Sequence, residues 1–386
     1  MLNSLLPRNR LVKKYGIILT LALVILAGAV FFQKPDKPAN NTARLPQTKV
    51  INTPAEELQP PVTAEQDAGT EKPEPVINKF PSCPRLSPDD YTLIEKKIEA
   101  FYAENLSSEN EQSRLTALMM ASFEDKAAMN AWQSFLSEYP RNTDALRETL
   151  RLCSLNGSHS VCNHQLVRQA EEAGRDDGET WLNLVLFHIK QDDHEAVLAS
   201  LENMVQAKNY SNHYARFVSL ALDSVVAEQV ASLEGAVIYA MGKWAAGTYK
   251  YNLLKTWCGS RADEPAAASA CIAAAKDMVA RAPLELEKLI GHDIELDIYT
   301  KQGNMAMVDA VREEMEADVT PEHPRLADAL DLMMHDHALF YTWLNALQQS
   351  SEEDAISALI KEAADKSADP SYQPCRTASD PPSASE

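Results

Sequence analysis

From Cys83 onward, apolar residues return every third or fourth position rather than every second. Tyr91, Ile94, Ile98 and Phe101 form one such set. Ser87, Pro88 and Asp90 stand before it and supply an N-cap, a first-turn proline and a capping acid. The same grammar predicts helices over 109–121, 124–138, 143–155, 160–173, 177–190, 193–207, 212–229 and 231–257, with further helices to residue 366, including a long segment at 322–349. Alternating β patterns are missing, glycine is scarce at 12 residues, and alanine, leucine and glutamate dominate, so residues 83–368 read as an all-α domain. Residues 369–386, with Pro381, Pro382 and the last serines, read as a disordered tail.

Before Cys83 the pattern is different. Residues 34–82 lack apolar periodicity and carry nine prolines, so no core can offset their conformational entropy. They read as a stiffened tether whose greatest reach is about 150 Å at about 3.1 Å per residue. Residues 15–33, from Tyr15 to Gln33, bear no charge and follow Arg8, Arg10, Lys13 and Lys14. As a helix this stretch would rise about 28 Å, close to the hydrocarbon thickness of a bilayer, and it reads as a single transmembrane helix. Tyr15, Phe31 and Phe32 suit the membrane interfaces, and the positive-inside bias leaves residues 1–14 in the cytoplasm. Ala27, Gly28 and Ala29 also resemble a signal-peptidase site, but the apolar run continues past them through Val30, Phe31 and Phe32. Either reading exports the remainder.

The six cysteines agree with export, because disulfides persist in an oxidising compartment. Proximity favours pairing Cys153 with Cys162 and Cys258 with Cys271, which leaves Cys83 and Cys375 at the two edges of the domain. That is one of the fifteen pairings open to six cysteines. The net charge of −20 disfavours nucleic acid and broad contact with anionic lipid.

Helices of about a dozen residues on short loops prompt a search for a repeat, and a period near 34 residues emerges. A unit from Glu109 places Leu115 on its first helix, Ala128 and Trp132 on its second and Pro140 at its end. A unit from Thr143 has Leu146 and Leu150, and one from Asp177 has Trp181, Leu184, Ala196 and Leu201. The second unit carries Cys153 and Cys162 around its hairpin turn. The third slips by one residue, has Val185 where a small residue is usual, and lacks a closing proline. Over residues 109–210 the chain thus resembles tetratricopeptide or Sel1-like helical repeats. The resemblance implies stacked helical hairpins forming a solenoid whose concave face binds a protein or peptide. Hairpins of similar length also build irregular bundles, and the long segments 231–257 and 322–349 fit a strict repeat poorly.

The candidate chemistry is sparse. Cys153, His159, Cys162 and His164 offer the atoms for tetrahedral zinc, but the spacing is not that of a standard site and export favours a disulfide. His335, Asp336 and His337 lie on a segment read as one helix, where residues two apart diverge and read as a solvated face. Met119, Met120, Met333 and Met334 read as core filler. His292, Asp293, Glu295 and Asp297 form an acidic cluster with no catalytic role assigned. Trp244, Tyr249, Tyr251 and Trp257, with Gly242 and Gly247, read as one helix packed on a neighbour, and as a partner patch only if a face is exposed. No G-x-S-x-G elbow, H-E-x-x-H helix or P-loop occurs, and neither cofactor nor metal is expected. The function expected is that of a periplasmic protein-interaction or scaffold module, held to a bacterial inner membrane by its N-terminal helix. The alternative is an envelope enzyme acting on peptidoglycan or another wall polymer.

Overall fold

The computed structural model describes residues 80–121, 126–155, 159–246, 251–317 and 325–375. The expected spanning segment with Tyr15, Phe31 and Phe32, the stretch 1–14, nearly all of the 34–82 tether and residues 376–386 lie outside the described residues, as do Gly247 and Tyr249. Among the described residues no helix is long and apolar enough to cross a membrane.

The described residues form sixteen α-helices and no strand. They are α1 (Pro88–Asn105), α2 (Glu111–Met120), α3 (Lys126–Glu138), α4 (Thr143–Leu155), α5 (His164–Ala173) and α6 (Gly178–Lys190). Then come α7 (His194–Gln206), α8 (His213–Ala227), α9 (Leu233–Ala246), α10 (Tyr251–Ser260), α11 (Pro265–Arg281) and α12 (Glu285–Lys301). Last are α13 (Met305–Ala317), α14 (Leu326–Met333), α15 (His337–Gln349) and α16 (Glu352–Ser367).

Local chemistry starts and stops these helices. Ser87, Asn110, Asn163, Asp177, Asp193, Asn212, Asp336 and Ser351 each accept a backbone N–H of the following first turn, satisfying donors that would otherwise be orphaned. Three helices end in a left-handed residue, at Asp192, Gln229 and Gly303, followed by a bond back to the last turn: Asp193 to His188, Val230 to Val225 and Asn304 to Tyr299. These sharp ends permit tight hairpins.

Packing sorts the helices into a row and its flanks. α4 packs on α6, α6 on α10 and α10 on α12; α5 lies against α4 and α6, α7 against α6 and α11, and α11 against α12. α6 is buried without interruption from Gly178 to His188, as an apolar helix covered on every side must be. The α8–α9 hairpin leaves the row: α8 packs on α2 and α15, and α9 on α1. α14, α15 and α16 pack on one another, and α13 covers α12 through Val308 and Val311. One continuous core, with Trp132, Phe135, Phe217 and Phe340 fully buried, joins all but that last contact.

Two long helices expected from periodicity are each divided. Residues 231–257 become α9, which follows α8 toward α1, and α10, which returns beside α6; one straight rod could not serve both neighbours. Trp244 and Tyr251 therefore do not share a helix face. Residues 322–349 contain α14 and α15. Asp336 separates them by adopting an extended conformation (φ −120°, ψ 108°) and capping α15 through the amides of Ala338 and Leu339.

α11 and α12 cross closely, because α11 is rich in alanine and Gly291 of α12 faces its backbone. A Cβ at Gly291 would stand 2.6 Å from the Ala275 carbonyl oxygen. Gly291→Ala should therefore destabilise by about 1–3 kcal/mol, since the backbone clash outweighs the gain of at most about 1 kcal/mol in helix propensity. A lower urea midpoint at unchanged slope is the expected readout.

The folded part extends beyond 83–368 at both edges. Phe80 is buried beneath the Arg325 guanidinium, 3.8 Å from its ring centroid, and the Leu86 amide donates to Glu234 at 3.1 Å. Cys83 is bonded to Cys375 with the Cα atoms 5.2 Å apart, across 292 residues of sequence. Next to that bond the Tyr372 hydroxyl donates to Asp336 at 2.5 Å, and Lys366 donates to the same oxygen at 2.9 Å. Burial opposes ionisation of Asp336, but Tyr372, Lys366 and the Leu339 amide outweigh it and hold its carboxyl below the usual carboxylate range.

Candidate functional site

The remaining disulfides clip hairpins. Cys153 to Cys162 ties the end of α4 to the segment leading into α5, and Cys258 to Cys271 ties α10 to α11, with Cα separations of 5.5 and 5.8 Å. The two pairs favoured by spacing and the pair left over all stand at disulfide distance. The sulfurs of Cys153 and Cys162 are thus bonded to each other and cannot also act as thiolate ligands beside His159 and His164.

The Cys153–Cys162 clip also shapes a cleft of about 70 Å³ between α3 and α5. Its rim is built from neutral polar side chains: Gln133 and Ser137 on α3, Asn163 at the cap of α5, and Gln165 and Gln169 one turn apart on α5. Leu136, Val161 and Leu166 form its buried floor. The Ser160–Asn163 turn is held in place by its own bonds. The Ser160 hydroxyl donates to Gln133 Oε1 at 3.0 Å, Asn163 Nδ2 donates to the Ser160 carbonyl at 2.7 Å, and Asn163 Oδ1 accepts the Gln165 amide at 2.8 Å. Among the described residues no charged side chain lines this cleft, although 24% of the chain is charged. Such a surface offers hydrogen bonds without attracting an ion.

The buried interior includes two polar centres that join helices. In the first, Arg151 grips Glu148 through both carboxylate oxygens, with Nε to Oε2 at 2.8 Å. His213 Nε2 lies 3.7 Å from Oε2, and its ring meets Trp244 at 5.4 Å. Burial alone would push the Glu148 pKa up, but Arg151 and then His213 reverse this and hold it at about 2. In the second, Tyr251 on α10 donates to Glu287 on α12 at 2.6 Å, and Asn183 donates to Glu179 on α6. Burial and then the negative charges of Glu287 and Glu179 raise the hydroxyl pKa values of Tyr210 and Tyr251 far above normal, so both stay protonated. The chemistry available here is joinery between helices.

The other residues singled out in the sequence fall into place around these features. Trp244 packs on Tyr214 and Phe217 of α8, and Trp257 lies between His194 and the Arg261 guanidinium, so both tryptophans serve packing rather than an exposed patch. Met119, Met120 and Met333 are buried and Met334 half-buried. On α12, Asp293 pairs with Lys255 and Asp297 with Lys301, while His292 and Glu295 are buried. Burial, then the nearby Glu314, raises the Glu295 carboxyl pKa, with Lys276 opposing at 3.9 Å. Glu295 does not line the α3–α5 cleft. Among the described residues no group of three or more histidine, cysteine or acidic side chains is placed to hold a metal ion.

The cleft residues were missed because neutral glutamines on two helices carry no motif. The available signal was Gln165 and Gln169 at i, i+4 directly after Cys162. The Glu148–Arg151 pair did have a signal, opposite charges at i, i+3 on the face opposite Leu146 and Leu150.

Comparison with known proteins finds no family model, no curated protein and no solved structure that matches the chain.

Proposed function

We propose that this chain is a membrane-anchored scaffold of the bacterial envelope, whose helical domain lies on the periplasmic side and binds another protein. The observation that carries this reading is the helix row α4, α6, α10 and α12, flanked by α5, α7 and α11. A helix row flanked in this way would offer a long continuous surface, as the resemblance to tetratricopeptide and Sel1-like repeats implies. The Cys83–Cys375 bond joins the two edges of the described domain, and the α8–α9 hairpin links α1, α2 and α15. Three disulfides support an oxidising location, and the uncharged segment from Tyr15 to Gln33 supports anchorage there.

The test is site-specific photo-crosslinking of the full-length protein in its native membrane, with the probe placed at exposed positions such as Leu93, Gln165 and Met305. A crosslink to one partner from a contiguous set of positions is the expected result. Position-independent labelling, together with turnover of a wall polymer by the purified chain, would overturn the reading in favour of an enzyme.

A further inference from the structure

We propose that the α3–α5 cleft is the docking point for an extended, uncharged polypeptide segment of the partner, read through its backbone; this rests on the scaffold reading above. The neutral rim excludes ligands that are recognised by charge, such as phosphates and carboxylates. What it presents instead is carboxamide. Each carboxamide offers donors and an acceptor, matching the N–H and C=O of a peptide unit. The side-chain carboxamides of Gln165 and Gln169 make no hydrogen bond among the described residues, while Asn163 and Gln133 are partly committed to the Ser160–Asn163 turn.

The spacing fits an extended chain. Residues four apart on α5 are separated by about 6 Å along the helix axis, and alternate residues of a strand repeat at about 6.6 Å. Two glutamines one turn apart can therefore meet alternate peptide units of one strand, the arrangement by which a strand is held through its main chain. The side chain between those units would point at Leu136, Val161 and Leu166, whose cleft of about 70 Å³ accepts a small aliphatic group. The Cys153–Cys162 bond holds this geometry before any partner arrives, which lowers the ordering cost of binding.

The test uses the full-length oxidised chain in lipid nanodiscs. The probe is a library of fluorescein-labelled, end-capped octapeptides with uncharged residues at the central positions. A subset should bind saturably. Gln165→Ala with Gln169→Ala should weaken that binding by about tenfold or more at unchanged thermal midpoint. N-methylation of one central peptide nitrogen, which removes a backbone donor and keeps the side chain, should weaken it by about the same factor. Absence of any binding peptide, binding indifferent to the two glutamines, or tolerance of N-methylation at every central position would each overturn the inference. Binding of a chitotetraose probe in place of peptide, lost in the double variant, would overturn it as a glycan site. The scaffold reading fails separately: crosslinks from Leu93 and Met305 still capture the partner if only the cleft assignment is wrong, and capture none if both are wrong.

Discussion

Cys83→Ser is expected to lower the stability of the helical domain by about 5 kcal/mol, through the unfolded chain more than through any lost contact. The bond closes a loop of 292 residues, and in the chain-entropy model a closure of that length removes about 5 to 6 kcal/mol of unfolded-state entropy. Domains of ordinary stability have only about 5–15 kcal/mol in hand. The same change frees the segment that brings Tyr372 to Asp336 and Phe80 to Arg325, so those contacts should weaken with it. Denaturant titration of the wild type, Cys83→Ser and the double variant Cys83→Ser with Cys375→Ser should show the single and double variants falling together. Reductant should move the wild type down to them. A midpoint within error of the oxidised wild type would show that the noncovalent contacts at the two edges suffice.

Glu148→Ala should cost about 3–5 kcal/mol, the usual penalty for breaking a buried ion pair, because it leaves the Arg151 guanidinium inside the core without that carboxylate. Replacing both partners is a different experiment. Glu148→Met with Arg151→Met removes both charges and should recover most of the loss, since apolar packing replaces a pair whose desolvation had offset much of its attraction. The pH dependence follows from the direction of the shift. The folded-state pKa of Glu148 is depressed to about 2, so its contribution is fully present above the ordinary carboxylate value near 4.5 and is lost as pH falls through about 2. Stability curves measured between pH 5 and pH 2 should fall more steeply for the wild type than for Glu148→Gln. Parallel curves would mean that Glu148 titrates alike in folded and unfolded chains.

How much was legible depended on range. Ser87, Pro88 and Asp90 mark the start of α1 within four residues, and the capping contacts of Asn163, Asp177 and Asp193 are equally local. Periodicity therefore placed helix after helix correctly. It failed where one apolar run had to serve two neighbours, at 231–257 and 322–349, because a run of helix-forming residues does not record which partner each half will meet. The disulfides divide the same way. Cys153 with Cys162 and Cys258 with Cys271 are near in sequence, whereas Cys83 and Cys375 could be matched only by elimination. The candidate cleft was illegible because it depends on residues of α3 and α5 facing one another across a gap, and glutamine does not announce a site as a Cys-His cluster does.

By itself, the sequence determined the all-α class and most helix boundaries and favoured the disulfide pairs near in sequence, because caps, periodicity and loop closure act over a few residues. Only the tertiary structure decided that α8–α9 leaves the row for α1, α2 and α15, that Glu148, Arg151 and His213 share one buried centre against Trp244, and that neutral side chains of two helices line a cleft. Those outcomes come from packing one continuous core. Each apolar face has several acceptable partners taken singly, and the choice is made only when all the faces must be buried together.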